Sequence, residues 1–332
     1  MMINELGRLS KVLAMVFCLV LLLAFATVLL YTHPSIFEEQ KISFTENNKP
    51  QLWHAPDTAT IPKNKEGKII RYGRDLIART SYYLGPQGTV MNISNGMNCQ
   101  NCHLEAGTKP YGNNYASVAA TYPKFRARSG SIESIEKRVN DCLERSLNGK
   151  SLDSLSMEMR AIVAYIQWLG KDIPKGERVP GFGLFEVPWL ARAANPSKGR
   201  MLYMQKCQIC HGFSGEGQRL TAKSRYIYPP LWGDNSFNTG AGLYRISSFT
   251  RYIRANMPPG ATSENPILTE EESWDIAAYV VSLPRPQKKF TQDWPKIELK
   301  PVDHPFGPYS DKFSEEQHKY GPFKEILATA KK

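Results

Sequence analysis

The sequence carries no nucleic-acid-binding motif and no low-complexity tract. Acidic residues are outnumbered: 31 Asp and Glu face 42 Lys and Arg, leaving a formal net charge of +11. A basic balance attracts anionic partners. Without a nucleic-acid motif, acidic proteins and small anions are the partners it leaves. Long apolar runs are also lacking, apart from the charge-free stretch Val12 to Tyr31. What remains is globular in character, with 42% hydrophobic and 11% aromatic residues in 332, enough chain for about two domains with cores of their own.

Cysteine is scarce, with six in the chain, and its placement carries most of the information. Four fall in two near-identical pentapeptides, Cys99-Gln100-Asn101-Cys102-His103 and Cys207-Gln208-Ile209-Cys210-His211. Cys-x-x-Cys-His is the c-type haem attachment signature: two thiols form thioethers to the porphyrin and the adjacent histidine ligates the iron. Two copies predict two covalently bound c-type haems, held by Cys99, Cys102 and His103 and by Cys207, Cys210 and His211. A zinc site built from the two Cys-x-x-Cys pairs is the structural alternative. Of the other two cysteines, Cys18 lies inside the apolar run, and Cys142 is left over.

Arg8 and Lys11 precede the run Val12–Tyr31. Twenty residues at helical rise span the roughly 30 Å of a bilayer core. This predicts an N-terminal membrane anchor over residues 1–32, with its basic end in the cytoplasm and the remaining chain on the periplasmic side of a bacterial inner membrane. A cleaved signal peptide with a soluble periplasmic product is the alternative, since Ala24-Phe25-Ala26 resembles a cleavage site.

The predicted fold is mainly α, with two class I cytochrome c-type domains in tandem. A polar stalk occupies 33–60, the first domain 61–170, a Pro/Gly-rich connector 171–196, the second domain 197–285, and an extended strap 286–332 packed on both domains. In the first domain, helices are predicted from about Tyr72 to Leu84 and over Met157–Leu169, the latter capped by Ser156 and stopped by Gly170. In the second, a helix is predicted over Glu270–Leu283, with Thr269 and Glu272 in a capping-box pattern. Both domains end on a helix carrying Ala-Tyr-aliphatic (Ala164-Tyr165-Ile166 and Ala278-Tyr279-Val280), which reads as duplication of one haem domain. The strap is too rich in aromatics, among them Phe306, Tyr309, Phe313, Tyr320 and Phe323, for a solvated tail.

The ligand on the far side of each iron sets its potential and chemistry. Met257, followed by two prolines, is the candidate in the second domain. It lies as far before Tyr279 as Leu143 lies before Tyr165, and the residue next to Leu143 is Cys142. Burial as a small apolar side chain is the ordinary fate of a lone cysteine, but this spacing points to ligation. A thiolate lowers the haem potential where a methionine raises it, so the two sites are expected to be unlike. Lys124, Arg126, Arg128, Lys137 and Arg138 form a basic stretch around Glu133 and Glu136. If 133–142 is helical, Arg138 and Cys142 share a face, and guanidinium groups suit oxyanions.

Several stretches resemble the dihaem thiosulfate dehydrogenases, the tetrathionate-forming cytochromes c: NGMNCQNCHLEAGTKP (95–110), SIEKRVNDCLERSLNG (134–149), PPLWGDNSFNTGAGLYR (229–245), ANMPPG (255–260) and DHPFGPYSDKFSEEQHKYGPF (303–323). The resemblance covers most of the chain beyond the anchor. It implies an oxidoreductase that couples two thiosulfates to tetrathionate with release of two electrons. It further implies His103 and Cys142 as ligands of the active-site haem, Arg128 and Arg138 as substrate-holding arginines, and His211 and Met257 as ligands of the electron-exit haem. Some members carry lysine beside that methionine; here the neighbour is Asn256, so no ligand switch is expected. The implied partners are thiosulfate and tetrathionate, a cytochrome c or membrane-bound redox partner, and no nucleic acid. The anchor departs from soluble members. A membrane-anchored dihaem carrier that only passes electrons to a terminal oxidase or reductase is the alternative function, and a dihaem peroxidase is a weaker one.

Overall fold

The computed structural model describes residues 2–32, 51–219 and 226–330, in two units, Met1–Pro50 and Gln51–Lys332. In the first, Met2–Thr32 is one helix of 31 residues. Its apolar side chains, such as Leu13, Phe17 and Leu22, are exposed. Among the described residues no helix is long and apolar enough to cross a membrane. The transmembrane anchor expected over 1–32 is therefore not a feature of the described fold. Most of the expected stalk, residues 33–50, lies outside the described residues.

The second unit is mainly helical. Asn64 caps the first helix, Lys65–Ala78, by accepting from the Gly67 amide, and Ile70, Leu76 and Ile77 are buried along one side. The helix starts seven residues before the expected Tyr72, because the capping asparagine outweighs the weak apolar pattern of the first turns. It ends at Arg79, and a short helix, Thr80–Leu84, follows. At the break, the Thr80 hydroxyl donates to the Leu76 carbonyl at 2.7 Å and accepts the Cys99 amide at 2.9 Å, so the break is where the first pentapeptide docks. The Met157–Leu169 helix forms as expected, with Ser156 capping Met159 and Gly170 at its end. Glu270–Ser282 forms with the reciprocal Thr269/Glu272 capping box.

In each half the first helix crosses the last. Lys65–Ala78 packs on Met157–Leu169, and Pro196–Lys206 packs on Glu270–Ser282. The same device permits both crossings. A Cβ on Gly73 would stand 1.9 Å from the Ala161 carbonyl oxygen, and one on Gly199 would stand 1.8 Å from that of Asp275. Only glycine lets the backbones meet at this distance. Tyr165 and Tyr279, the repeated tyrosines, lie beside these glycines. Two apolar cores result, one around Leu76, Met159 and Tyr165, the other around Tyr203, Trp274 and Val280.

Two short antiparallel pairs are present, Lys124–Arg126 with Ser131–Glu133 and Gln218–Arg219 with Tyr226–Tyr228. The first corrects the expectation of a helix from residue 133. That helix begins at Ile135, capped by Ser134, and runs to Arg145. The C-terminal segment is not uniformly extended either, since Glu315–Tyr320 and Lys324–Ala330 are helical. Its aromatics are used: Phe323 is fully buried in the second core, and Tyr309 stacks on buried His318 with ring centroids 3.7 Å apart. Asp293 pairs with Arg145, while Asp303 pairs with Arg245, so the segment touches both halves.

Candidate functional site

Each pentapeptide opens onto a cavity. The first, about 740 Å³, is lined by Cys99, Cys102, His103 and Cys142; the second, about 510 Å³, by Cys207, Cys210, His211 and Met257. Both fall in the usual range for cofactor sites. In each, the histidine Nδ1 faces a backbone carbonyl, Asn113 at 2.5 Å for His103 and Pro229 at 2.9 Å for His211. A carbonyl only accepts, so Nδ1 carries the proton and Nε2 keeps its lone pair, the arrangement of a metal-ligating histidine. Burial lowers the pKa of His103 to about 4 and also depresses that of His211, which keeps both rings neutral. His103 is further fixed by stacking on Tyr115 at 4.5 Å.

The thiols match this. All four are free of disulfides, and burial pushes Cys99 up to about 11 and Cys102 and Cys207 up to about 12. Protonated thiols and a neutral imidazole on one cavity wall are the donor set a c-type haem needs. The zinc alternative does not fit, because Cys99 and Cys207 line different cavities and no three of His, Cys, Asp and Glu converge on a metal position among the described residues.

The Ile135–Arg145 helix brings the expected chemistry to the first cavity. Arg138 and Cys142, four residues apart, both line it. Their proximity is electrostatic as well as spatial: the Cys142 sulfur is the largest influence raising the Arg138 pKa, against the opposing cost of burial. Lys124 and Arg126, from the hairpin before the helix, line the same wall.

Arg128 is placed differently. It is not among the residues lining the cavity. Its guanidinium donates to the Gly240 carbonyl at 3.1 Å and lies 5.5 Å from the Trp294 ring centre, while its Nε is buried with no hydrogen-bond partner. Burial, then the neighbouring positive charges of Arg145 and Arg138, lower its pKa to about 10. The structure thus unites His103, Cys142 and Arg138, and sets Arg128 behind them at the junction with the second half. In the second cavity Met257 ends the Ile246–Asn256 helix in an extended conformation.

The two cavities share Asn98 and Cys102 in their walls. Tyr252 lines the second cavity and donates from its hydroxyl to the Asn101 carbonyl, inside the first pentapeptide, at 2.8 Å. Residue spacing gives no sign of this link, because it joins distant parts of the chain. Arg178 is another wall residue of the first cavity without a sequence signal; it sits in the connector among glycines and prolines.

Residues 90–174 match the SoxA/TsdA cytochrome c domain and residues 196–284 the cytochrome c domain. Over 252 residues the chain is 38% identical to a thiosulfate dehydrogenase of Psychrobacter arcticus, covering 76% of this chain and 74% of that one. Over 237 residues it is 36% identical to a thiosulfate dehydrogenase of Allochromatium vinosum, covering 70% and 83%. Among solved structures, the as-isolated thiosulfate dehydrogenase TsdBA of Marichromatium purpuratum superposes with a TM-score of 0.66 at 28% identity over 72% of this chain. The present chain spans about half, 51%, of that longer one.

Proposed function

The chain belongs to the thiosulfate dehydrogenase family, and from that premise we propose that it is a dihaem oxidoreductase interconverting thiosulfate and tetrathionate at the first cavity. The observation that carries this reading is the meeting of Cys142, Arg138 and His103 on one cavity wall. His103 and Cys142 would hold the first haem, with Cys99 and Cys102 as attachment points. His211, Met257, Cys207 and Cys210 would hold the second. When bound, the haems supply two one-electron acceptors, one for each electron the coupling releases.

The chain's own residues handle the sulfur chemistry. Arg138 binds the sulfonate of one thiosulfate and orients its sulfane sulfur toward the Cys142 sulfur. An S–S bond forms between these two sulfurs with loss of two electrons, leaving a cysteine S-thiosulfonate. The sulfane sulfur of a second thiosulfate then attacks the sulfane sulfur of that adduct. The bond to Cys142 breaks, tetrathionate leaves, and the cysteine sulfur takes back the electron pair, as in thiol–disulfide exchange. Arg128 contributes positive charge from behind the wall: burial and like charges lower its pKa only to about 10, so it stays protonated at neutral pH, and its Nε has no hydrogen-bond partner. Tyr252 and the shared Cys102 wall support passage of electrons from the first site to the second.

A periplasmic location, with a cytochrome c or membrane-bound protein receiving the electrons, suits an exported haem protein. We further propose that the Met2–Thr32 helix tethers the enzyme to the inner membrane, on the strength of the charge-free sequence Val12–Tyr31 behind Arg8 and Lys11. Protein-film voltammetry with thiosulfate and with tetrathionate tests the activity. Catalytic current with these anions is expected; absence of current with both, in protein carrying two haems, would overturn it. Full turnover by Cys142→Met would eliminate the covalent step.

A further inference from the structure

Coupling two thiosulfates into tetrathionate brings two sulfonates into one cavity, and each carries a negative charge. Arg138, one turn from Cys142, accounts for one end only. Six cationic residues line this cavity: Lys124, Arg126, Arg138, Arg178, Arg245 and Arg251. Three face carboxylates. Arg126 lies 3.8 Å from Glu133, Arg245 pairs with Asp303 and Arg251 with Glu186. Lys124 and Arg178 instead sit over aromatic rings, Nζ 4.8 Å from the Tyr122 ring centre and the guanidinium carbon 5.4 Å from that of Phe182. A ring face positions a cation without neutralising it.

We propose that Lys124 and Arg178 form a second sulfonate subsite, which takes the end of tetrathionate, or the second thiosulfate, that Arg138 does not hold. The inference rests on the reading of this cavity as the thiosulfate site. Lys124 stands at the centre of a group of like charges. Burial, followed by Arg126, Arg178 and Arg138, pushes its pKa below the ordinary lysine value, and Glu133 offsets this only in part. A cavity that assembles cations against their mutual repulsion is built to receive an anion with more than one charge. Exposure falls inward: Arg178 is exposed, while Lys124 and Arg138 are half-buried, Arg138 beside Cys142. An entering dianion meets Arg178 first, passes to Lys124, and has its far sulfonate at Arg138. Tetrathionate, with a sulfonate at each end, is then held at both ends with its central S–S bond between them, while a monoanion gains only one contact.

The test uses the full-length protein with both haems attached, in wild-type form and as Lys124→Met, Lys124→Arg and Arg178→Gln. Tetrathionate binding to the fully oxidised protein is measured by calorimetry, and steady-state kinetics with thiosulfate and tetrathionate run in parallel. Loss of one charged contact is expected to weaken tetrathionate binding and raise its KM by about tenfold or more. The value of kcat should stay within about twofold, with the potentials of both haems unchanged. Lys124→Arg should recover most of the affinity, and high salt should narrow the gap between variants. Unchanged binding and KM in both Lys124→Met and Arg178→Gln would overturn the subsite. So would a shifted first-haem potential with unaltered KM, which would assign these cations to the haem propionates. A wild-type protein inert toward both anions would remove the underlying reading, and the subsite with it.

Discussion

Asp293 fixes the far end of the helix that carries Cys142, and its removal should be costly. Arg145, in the last turn of that helix, donates twice to the Asp293 carboxylate at 2.8 Å and lies 3.6 Å from the Phe290 ring centre. The Arg145 side chain is 6% exposed and that of Asp293 19%. In Asp293→Ala the guanidinium would stay buried, with Asp141 as its nearest carboxylate at 3.7 Å. Breaking a buried pair from one side costs about 3–5 kcal/mol. The residual exposure of Asp293 and the remaining Asp141 place this case at the lower end, about 3 kcal/mol. At about 2–4 °C per kcal/mol for a chain of this size, the thermal midpoint should fall by roughly 6–12 °C. Thermal unfolding of the haem-loaded protein, followed by far-ultraviolet circular dichroism, measures this. The double variant Asp293→Ala/Arg145→Met leaves no stranded charge and should be more stable than Asp293→Ala alone. A midpoint for Asp293→Ala within about 1 °C of wild type, or strictly additive losses in the double variant, would refute the reasoning.

Three further outcomes are expected. Gly199→Ala should destabilise the second half by about 3 kcal/mol, since its Cβ would stand 1.8 Å from the Asp275 carbonyl oxygen and the helix pair must part to admit it; wild-type chemical denaturation would contradict this. Asp303 ties the C-terminal segment to Arg245. Burial opposes its ionisation, but Arg245 and Ser247 outweigh burial and hold its pKa below the ordinary value. A depressed folded-state pKa stabilises above the unfolded value of about 3.9 and loses that stabilisation as pH falls through the folded value. Hydrogen-exchange protection over 303–326, taken relative to the unstructured rate at each pH, should therefore fall on acidification below about pH 4, and Asp303→Asn should lack this dependence; identical protection profiles in both proteins would refute it. Tyr252→Phe removes the hydroxyl contact to Asn101 and should slow reduction of the second haem after the first in stopped-flow spectra. An unchanged rate would exclude the tyrosine from the electron route.

The parts of the fold with local signals were legible in the sequence. Ser156 and Thr269 announce two helices because a capping side chain acts within three residues, and the paired pentapeptides announce the haem sites because attachment needs that spacing. The spacing that leads from Met257 to Cys142 is measured from tyrosines that each lie beside a helix-crossing glycine, and the two residues line the two cavities. The crossing glycines themselves, Gly73 and Gly199, gave no sign, since their role depends on a carbonyl more than seventy residues away. The same limit hid Arg178 and Tyr252, whose partners are brought up only by the tertiary fold. Arg128 is a further case. The family resemblance implies it as a substrate-holding arginine, and the short hairpin before the Cys142 helix sets its side chain toward Gly240 and Trp294, an arrangement no local pattern announces. Asn64 set the first helix start earlier than the apolar pattern indicated.

The central claim is that the two haem sites are chemically unlike, with Cys142 completing the first and Met257 the second. Low-temperature electron paramagnetic resonance of the oxidised protein tests it directly, with Cys142→Met as comparison. Two distinct low-spin ferric signals are expected, one with the compressed g-spread of histidine/thiolate ligation, and only that one should vanish in Cys142→Met. Two signals of the histidine/methionine kind in the wild type, unaltered by the substitution, would contradict the account.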